Sequence, residues 1–178
     1  ILVNTARGAV VDVQAVADWL PATPWVINLC EDRYHFAVLF GACAVTSRVS
    51  LQPSSQSAQT LDQLMRAYPG AQTVADRQVD TTAAALTLPV LGRGDALASR
   101  PMPMIPADRT VAILFTSGST GQPQPHGKTW GKLVANGQAE ATALGLDGQP
   151  HVLVGTVPAQ HSYGFESTFL LAMHGGCA

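Results

Sequence analysis

Residues 111–121 read VAILFTSGSTG, and Gln122 and Pro123 follow. An apolar run from Val111 to Phe115 enters a stretch built only of Thr, Ser and Gly. That pattern predicts a buried strand ending in a tight, hydroxyl-rich turn over Thr116, Ser117, Gly118, Ser119, Thr120 and Gly121. Gly118 and Gly121 let the backbone bend close to an anion. The hydroxyls and main-chain N–H groups of such a turn can wrap a phosphate, so the segment points to nucleotide chemistry. Two other readings fit less of the pattern. A flexible Gly/Ser linker is not usually preceded by an apolar strand and followed by a helix. A G-x-x-x-x-G-K-[ST] loop is approached by Gly121 to Lys128 and Thr129, but with a spacing one residue too long. Pro123 and Pro125 inside it each remove an amide that phosphate would need.

Alternating apolar and amphipathic runs must position this turn. Val10 to Leu20 suits a short helix closed by Pro21, and Trp25 to Leu29 a buried strand. Asp32 is placed to cap a helix through about Val45, with Phe36, Phe40 and Cys43 three and four apart. Val49 to Leu51 is a short strand ended by Pro53. Ser57 or Thr60 caps a helix reaching Ala67, with Leu61, Leu64 and Met65 inward, and Pro69 and Gly70 make a turn. Ala71 to Ala75 and Leu86 to Leu91 are further strand candidates, and Gly92 to Ala107 is an irregular loop. After the turn come a helix from about Thr129 to Ala143, a strand Val152 to Val154, and the opening of a helix over Phe165 to Met173. The alternation predicts an α/β fold, a mostly parallel sheet flanked by helices. Ligands of such sheets sit at the carboxyl ends of strands, where the Ser/Thr/Gly turn lies.

The totals narrow the class. Apolar residues make up 47% of 178, enough for a packed core. Charged residues are 12%, about half the usual ~25%, as expected of a surface that packs against something else. The net charge of −2 argues against nucleic acid or an anionic membrane as a partner. The longest apolar stretch, Phe36 to Val45, falls well short of the ~20 residues that span a bilayer. Cys30, Cys43 and Cys177 are odd in number, far apart and form no CxxC pair. They read as buried thiols of a cytoplasmic protein, with neither a disulfide framework nor a metal site. Ile1-Leu2-Val3 begins as if mid-strand and the chain stops soon after His174. Residues 1–178 are therefore expected to be part of a larger domain, with 1–110 a first subdomain segment and 111–178 the phosphate-loop segment.

Leu114 to Pro123 resembles the signature turn of the AMP-forming adenylating enzymes, T-S-G-[ST]-T-G-x-P-K-G. These include acyl-CoA synthetases, aryl-CoA ligases, nonribosomal peptide adenylation domains and luciferases. A second segment, Val157-Pro-Ala-Gln-His161-Ser-Tyr-Gly164, is similar to the family's P-x-x-H-x-x-G segment. The resemblance implies activation of a carboxylic acid by ATP with Mg²⁺. An acyl-adenylate and pyrophosphate form, and the acyl group passes to a thiol of CoA or of a phosphopantetheine on an acyl carrier protein. Thr116 to Gly121 would hold the β- and γ-phosphates, and His161 would border the acyl group. The resemblance also implies an adenine-binding segment, a ribose-binding Asp and a C-terminal lysine beyond Ala178, so the chain by itself should be inert or nearly so. One departure is Gln124 where the family usually has Lys, with Pro125 and His126 next. Lys128 is the nearest cation that could substitute, and His126 could also donate to phosphate. A non-catalytic nucleotide-binding module is the reading this departure leaves open.

Leu2 to Asp12, LVNTARGAVVD, resembles a segment of the NAD-dependent 2-hydroxyacid dehydrogenases in which the Arg binds substrate carboxylate. The continuation expected of those enzymes does not follow, and no G-x-G-x-x-G occurs.

Overall fold

The computed structural model describes residues 13–79, 84–89, 103–117, 123–146 and 151–175. The N-terminal dehydrogenase-like segment, most of the 92–107 loop, Gly118 to Gln122 and Cys177 lie outside them. Helix α1 (Val13–Trp19) leads into β1 (Trp25–Asn28). Helix α2 (Arg33–Val45) starts where expected, because the Asp32 carboxylate accepts from the N–H groups of Tyr34 and His35. Strand β2 (Val49–Gln52) precedes α3 (Ala58–Ala67), which Ser57 caps by accepting from Thr60 N. Gly70, at φ 80, turns the chain into β3 (Gln72–Ala75), a left-handed position that suits glycine. Strands β4 (Leu86–Thr87) and β5 (Thr110–Ser117) follow.

Two expectations change after β5. Residues 123–129, read as turn and helix entry, form a strand, β6 (Pro123–Thr129), antiparallel to β5. Its two prolines are two residues apart, so their missing N–H groups fall on the same side. An edge strand tolerates that, because only its other side needs a ladder. Helix α4 (Trp130–Ala143) then begins at the expected place. The second change is at Val152 to Val154, which does not form a strand. Val152 and Val154 are 79% and 86% exposed, and no described strand pairs with them. Apolar alternation marks an extended chain, but a strand also needs a neighbour with free hydrogen-bonding groups.

The last described element is a continuous helix, α5, over residues 162–174: an α turn at Ser162–Gly164, a π turn at Phe165–Leu170 and an α turn at Leu171–His174.

The sheet order is β4-β3-β1-β2-β5-β6, parallel except for the β5–β6 pair. The fold is the α/β sheet flanked by helices that the alternation predicted. Helices α1, α2, α4 and α5 pack on one face around Phe36, Phe40, Leu133 and Phe165. Helix α3 covers the other through Leu61 and Leu64. The chain steps right from β1 to β2 and then back past β1 to β3. Crossovers of fixed hand going opposite ways put α2 and α3 on opposite faces. The carboxyl edge is left open where the connections diverge.

Candidate functional site at the carboxyl edge of the sheet

Strand β5 is buried over most of its length, with Val111 and Ala112 at 0% exposure. It emerges at Thr116, which is exposed. The Thr116 Oγ1 lies 3.2 Å from Nε2 of His126, across the β5–β6 pair. Ser117 closes the hairpin opposite Pro123. Thr116 and Ser117 are therefore at the carboxyl edge, while Gly118, Ser119, Thr120 and Gly121 fall outside the described residues. Gln52 pairs with Leu114, so the chain after β2 leaves the sheet at the same edge.

At that edge opens a cavity of about 390 Å³. The exit of β1 contributes Glu31 and Arg33, and the exit of β2 contributes Ser54 and Ser55. The opposite wall is the 156–161 segment, ending in His161. His161 is exposed, and its ring has no hydrogen-bond partner among the described residues. It stands at the start of α5 because its own N–H donates to Pro158 O at 3.1 Å, while Gln160 behind it donates Nε2 to Cys30 O. Sequence and structure thus bring His161 to the same edge as Thr116 and Ser117.

Lys128 is placed elsewhere. The register pairs it with Ala112, near the amino end of β5. It lies five residue steps along the strand from Pro123, roughly 16 Å at the usual rise. Its Nζ is 2.5 Å from Oε1 of Glu166, in the π turn of α5. The lysine that follows the hydroxyl-rich turn therefore ties β6 to α5, and the side chain beside Thr116 is His126.

Other groups at this edge escaped sequence reasoning because long-range contacts define them. Asp76, just past β3 and with its side chain 6% exposed, accepts from the N–H groups of Glu31 at 3.1 Å and Asp32 at 2.8 Å, with His35 Nδ1 3.2 Å away. Burial alone would raise its pKa, but these hydrogen bonds outweigh it and hold the carboxyl below its ordinary value. The exit of β1 is thereby pinned. Gln52 is fully buried, and neither polar atom of its amide has a hydrogen-bond partner among the described residues. Neither Cys30 nor Cys43 is a candidate nucleophile. Burial raises the Cys30 thiol, with Asp76 and Asp32 adding to it, and burial pushes Cys43 up to about 12.

The sequence model of a family described as "AMP-binding enzyme" matches residues 23–178. The chain belongs to the AMP-binding enzyme family. A 4-coumarate–CoA ligase of Halorhodospira halophila is 48% identical over 60 residues, which are 33% of this chain and 15% of that protein. One of Rhodobacter capsulatus is 36% identical over 85 residues, 47% of this chain and 21% of that protein. An adenylation domain of a keto acid-selecting NRPS module, bound to keto acyl adenylate, superposes with a TM-score of 0.68 at 18% identity. It covers 94% of this chain and 34% of its own. The o-succinylbenzoate CoA synthetase of Bacillus subtilis, in complex with ATP and magnesium ion, superposes at 0.64 with 19% identity over 92% and 46%. These likenesses establish the fold. This AMP-binding enzyme chain spans about a third of the first of those structures, and its matches cover 15% and 21% of the ligases. The match begins at residue 23, so the dehydrogenase-like segment at Leu2 to Asp12 lies outside it. No helix among the described residues is long and apolar enough to cross a membrane.

Proposed function

We propose that the protein of which this chain is part activates a carboxylic acid with ATP. A carboxylate oxygen attacks the α-phosphorus, the bond to the bridging oxygen breaks, and pyrophosphate leaves with its electron pair. A thiolate of CoA or of a carrier-protein phosphopantetheine then attacks the acyl carbon and AMP departs. The observation that carries this reading is the hydroxyl-bearing end of β5 at the same sheet edge as a cavity bordered by His161, in a chain of this family. Thr116, Ser117, Gly118, Ser119, Thr120 and Gly121 hold the β- and γ-phosphates. The exposed Thr116 hydroxyl and the His126 ring fit an anion. The enzyme's part in such a displacement is positioning and charge neutralisation. His161 faces the acyl group.

Among the described residues no cluster of His, Cys, Asp or Glu is arranged to hold a metal. Mg²⁺ would arrive on the triphosphate, as it commonly binds through phosphate oxygens and its own waters. The structure of a relative's ATP–magnesium complex supports the co-substrate. The ligase relatives put aryl acids first among substrates to try, and ATP with reduced thiols as reactants points to the cytoplasm.

Activity needs the remaining length of the family, so the 178-residue chain should support no carboxylate-dependent ATP–pyrophosphate exchange. It should still bind Mg-ATP. Replacing Ser117, Ser119 and Thr120 together by Ala should weaken that binding by roughly tenfold or more, whereas Lys128→Met should change it by less than about twofold. Exchange by the short chain above the triple-alanine control would refute its inertness. Unchanged ATP affinity in the triple variant would refute the phosphate site. One observation favours a binding-only module: Gln124 stands where the family has Lys, and Lys128 is engaged by Glu166. An extended chain that binds ATP and forms no hydroxamate with any of a panel of acids would decide for it.

A further inference from the structure

We infer that Arg33 is the positioning residue of this site, fixing the segment that carries His161 over the cavity. Arg33 opens α2, and its guanidinium reaches across to three acceptors on two other parts of the chain. Nη2 donates to Gly155 O at 2.9 Å and to Val157 O at 2.5 Å. Nη1 donates to Thr168 Oγ1 at 3.1 Å, and that hydroxyl in turn donates to Gly164 O. The carbonyls of Gly155 and Val157 belong to a segment that no described strand pairs with, and the guanidinium supplies them with donors.

The fork suits the task because its donors are splayed in one plane and permanently charged. A lysine offers its donors from a single nitrogen and cannot span two carbonyls and a hydroxyl in this arrangement. Gly155 is the complementary feature. A Cβ there would lie 2.9 Å from Cζ and Nη2 of Arg33 and 3.0 Å from Nη1. The guanidinium lies against bare backbone, and any side chain at 155 would lift it off. Val157 is four residues before His161, and Gly164 three after it. Arg33 thus holds the chain on both sides of the histidine, directly before it and through Thr168 after it.

The inference rests on the reading that His161 borders the acid, but its test separates the two. The 178-residue chain is labelled for ring ¹H–¹³C spectra of histidine, with Arg33→Lys, Arg33→Ala and Gly155→Ala as variants. His161 signals are assigned by His161→Gln. All three variants should shift or broaden the His161 ring signals and leave those of His126 in place. Gly155→Ala decides the matter if Arg33→Ala fails to fold, because it keeps the arginine and its charge. Benzoate, as an aryl carboxylate probe, should bind Arg33→Lys about tenfold more weakly than wild type, with Mg-ATP affinity within about twofold. His161 signals unmoved in both Arg33→Lys and Gly155→Ala would overturn the positioning role. Equal losses of benzoate and ATP affinity would also overturn it, since they would mean general loosening. A wild-type chain that binds no benzoate sinks the acid-site reading while the spectra still decide on Arg33.

Discussion

At the scale of single residues, the spacing in Pro158-x-x-His161-x-x-Gly164 has a mechanical explanation. The Pro158 carbonyl accepts from His161 N, and the start of α5 folds back onto the same carbonyl. A Cβ at Gly164 would lie 2.1 Å from Pro158 O. Gly164 has φ −63, so what is required there is space and not conformational freedom. Gly164→Ala must push α5 off the 157–158 backbone. It should cost about 1–3 kcal/mol in urea denaturation, the usual range for forcing extra atoms into a packed site. It should also perturb His161, whose N–H bond shares that carbonyl. A midpoint unchanged from wild type would show that the turn relaxes freely.

At the scale of elements, two joints hold the site together. The first is the aromatic seam between α2 and α5. Phe165 meets Phe40 edge-on at 5.4 Å and Phe36 at 6.1 Å, and stacks with Phe169 at 5.7 Å. It is fully buried, so Phe165→Ala leaves a cavity where the surroundings can collapse only in part. The expected loss is about 3–5 kcal/mol in chemical denaturation. The second joint is Asp76, which ties the end of β3 to the exit of β1. Its folded pKa lies below the unfolded one, because hydrogen bonds favour the carboxylate. The stabilisation is then complete above the unfolded value of about 3.9 and is lost as pH falls through the folded pKa. Urea midpoints of wild type and Asp76→Asn should differ by a constant amount near neutrality and converge below about pH 4. A gap that persists into strong acid would show that the carboxylate charge is not what matters. The Lys128–Glu166 pair is a weaker joint, part-exposed and worth little on its own.

At the scale of the molecule, the sheet separates two cores, and the thiols sit in the one beneath α1, α2, α4 and α5. Cys30 and Cys43 are fully buried and free. Their thiols are raised by that burial, Cys43 to about 12, so little thiolate exists near neutrality. The folded chain should leave both unmodified by iodoacetamide at pH 8 over an interval in which the urea-unfolded chain is fully alkylated. Mass spectrometry of peptides reads the outcome, and rapid labelling of Cys30 in the folded state would mean that the carboxyl edge opens.

The order of elements was legible because it depends on neighbours in sequence. Apolar runs placed β1, β2, β3 and β5, and Asp32 and Ser57 marked helix starts through side chains that reach their own next turn. The proposed phosphate turn at Thr116 to Gly121 rests on composition, which supplies bends and hydroxyls. Partner choice was not legible. Nothing near Lys128 in sequence shows that Glu166 will meet it, or that Pro123 to Thr129 will find an edge to pair with. Val152 and Val154 alternate like a strand, yet no described strand lies beside them. Arg33 reads as an ordinary first residue of a helix until the fold brings Gly155, Val157 and Thr168 within its reach. Local hydrogen bonds and apolar spacing are written in a short stretch of chain. A contact across 122 or 135 residues exists only once the sheet and its helices have packed.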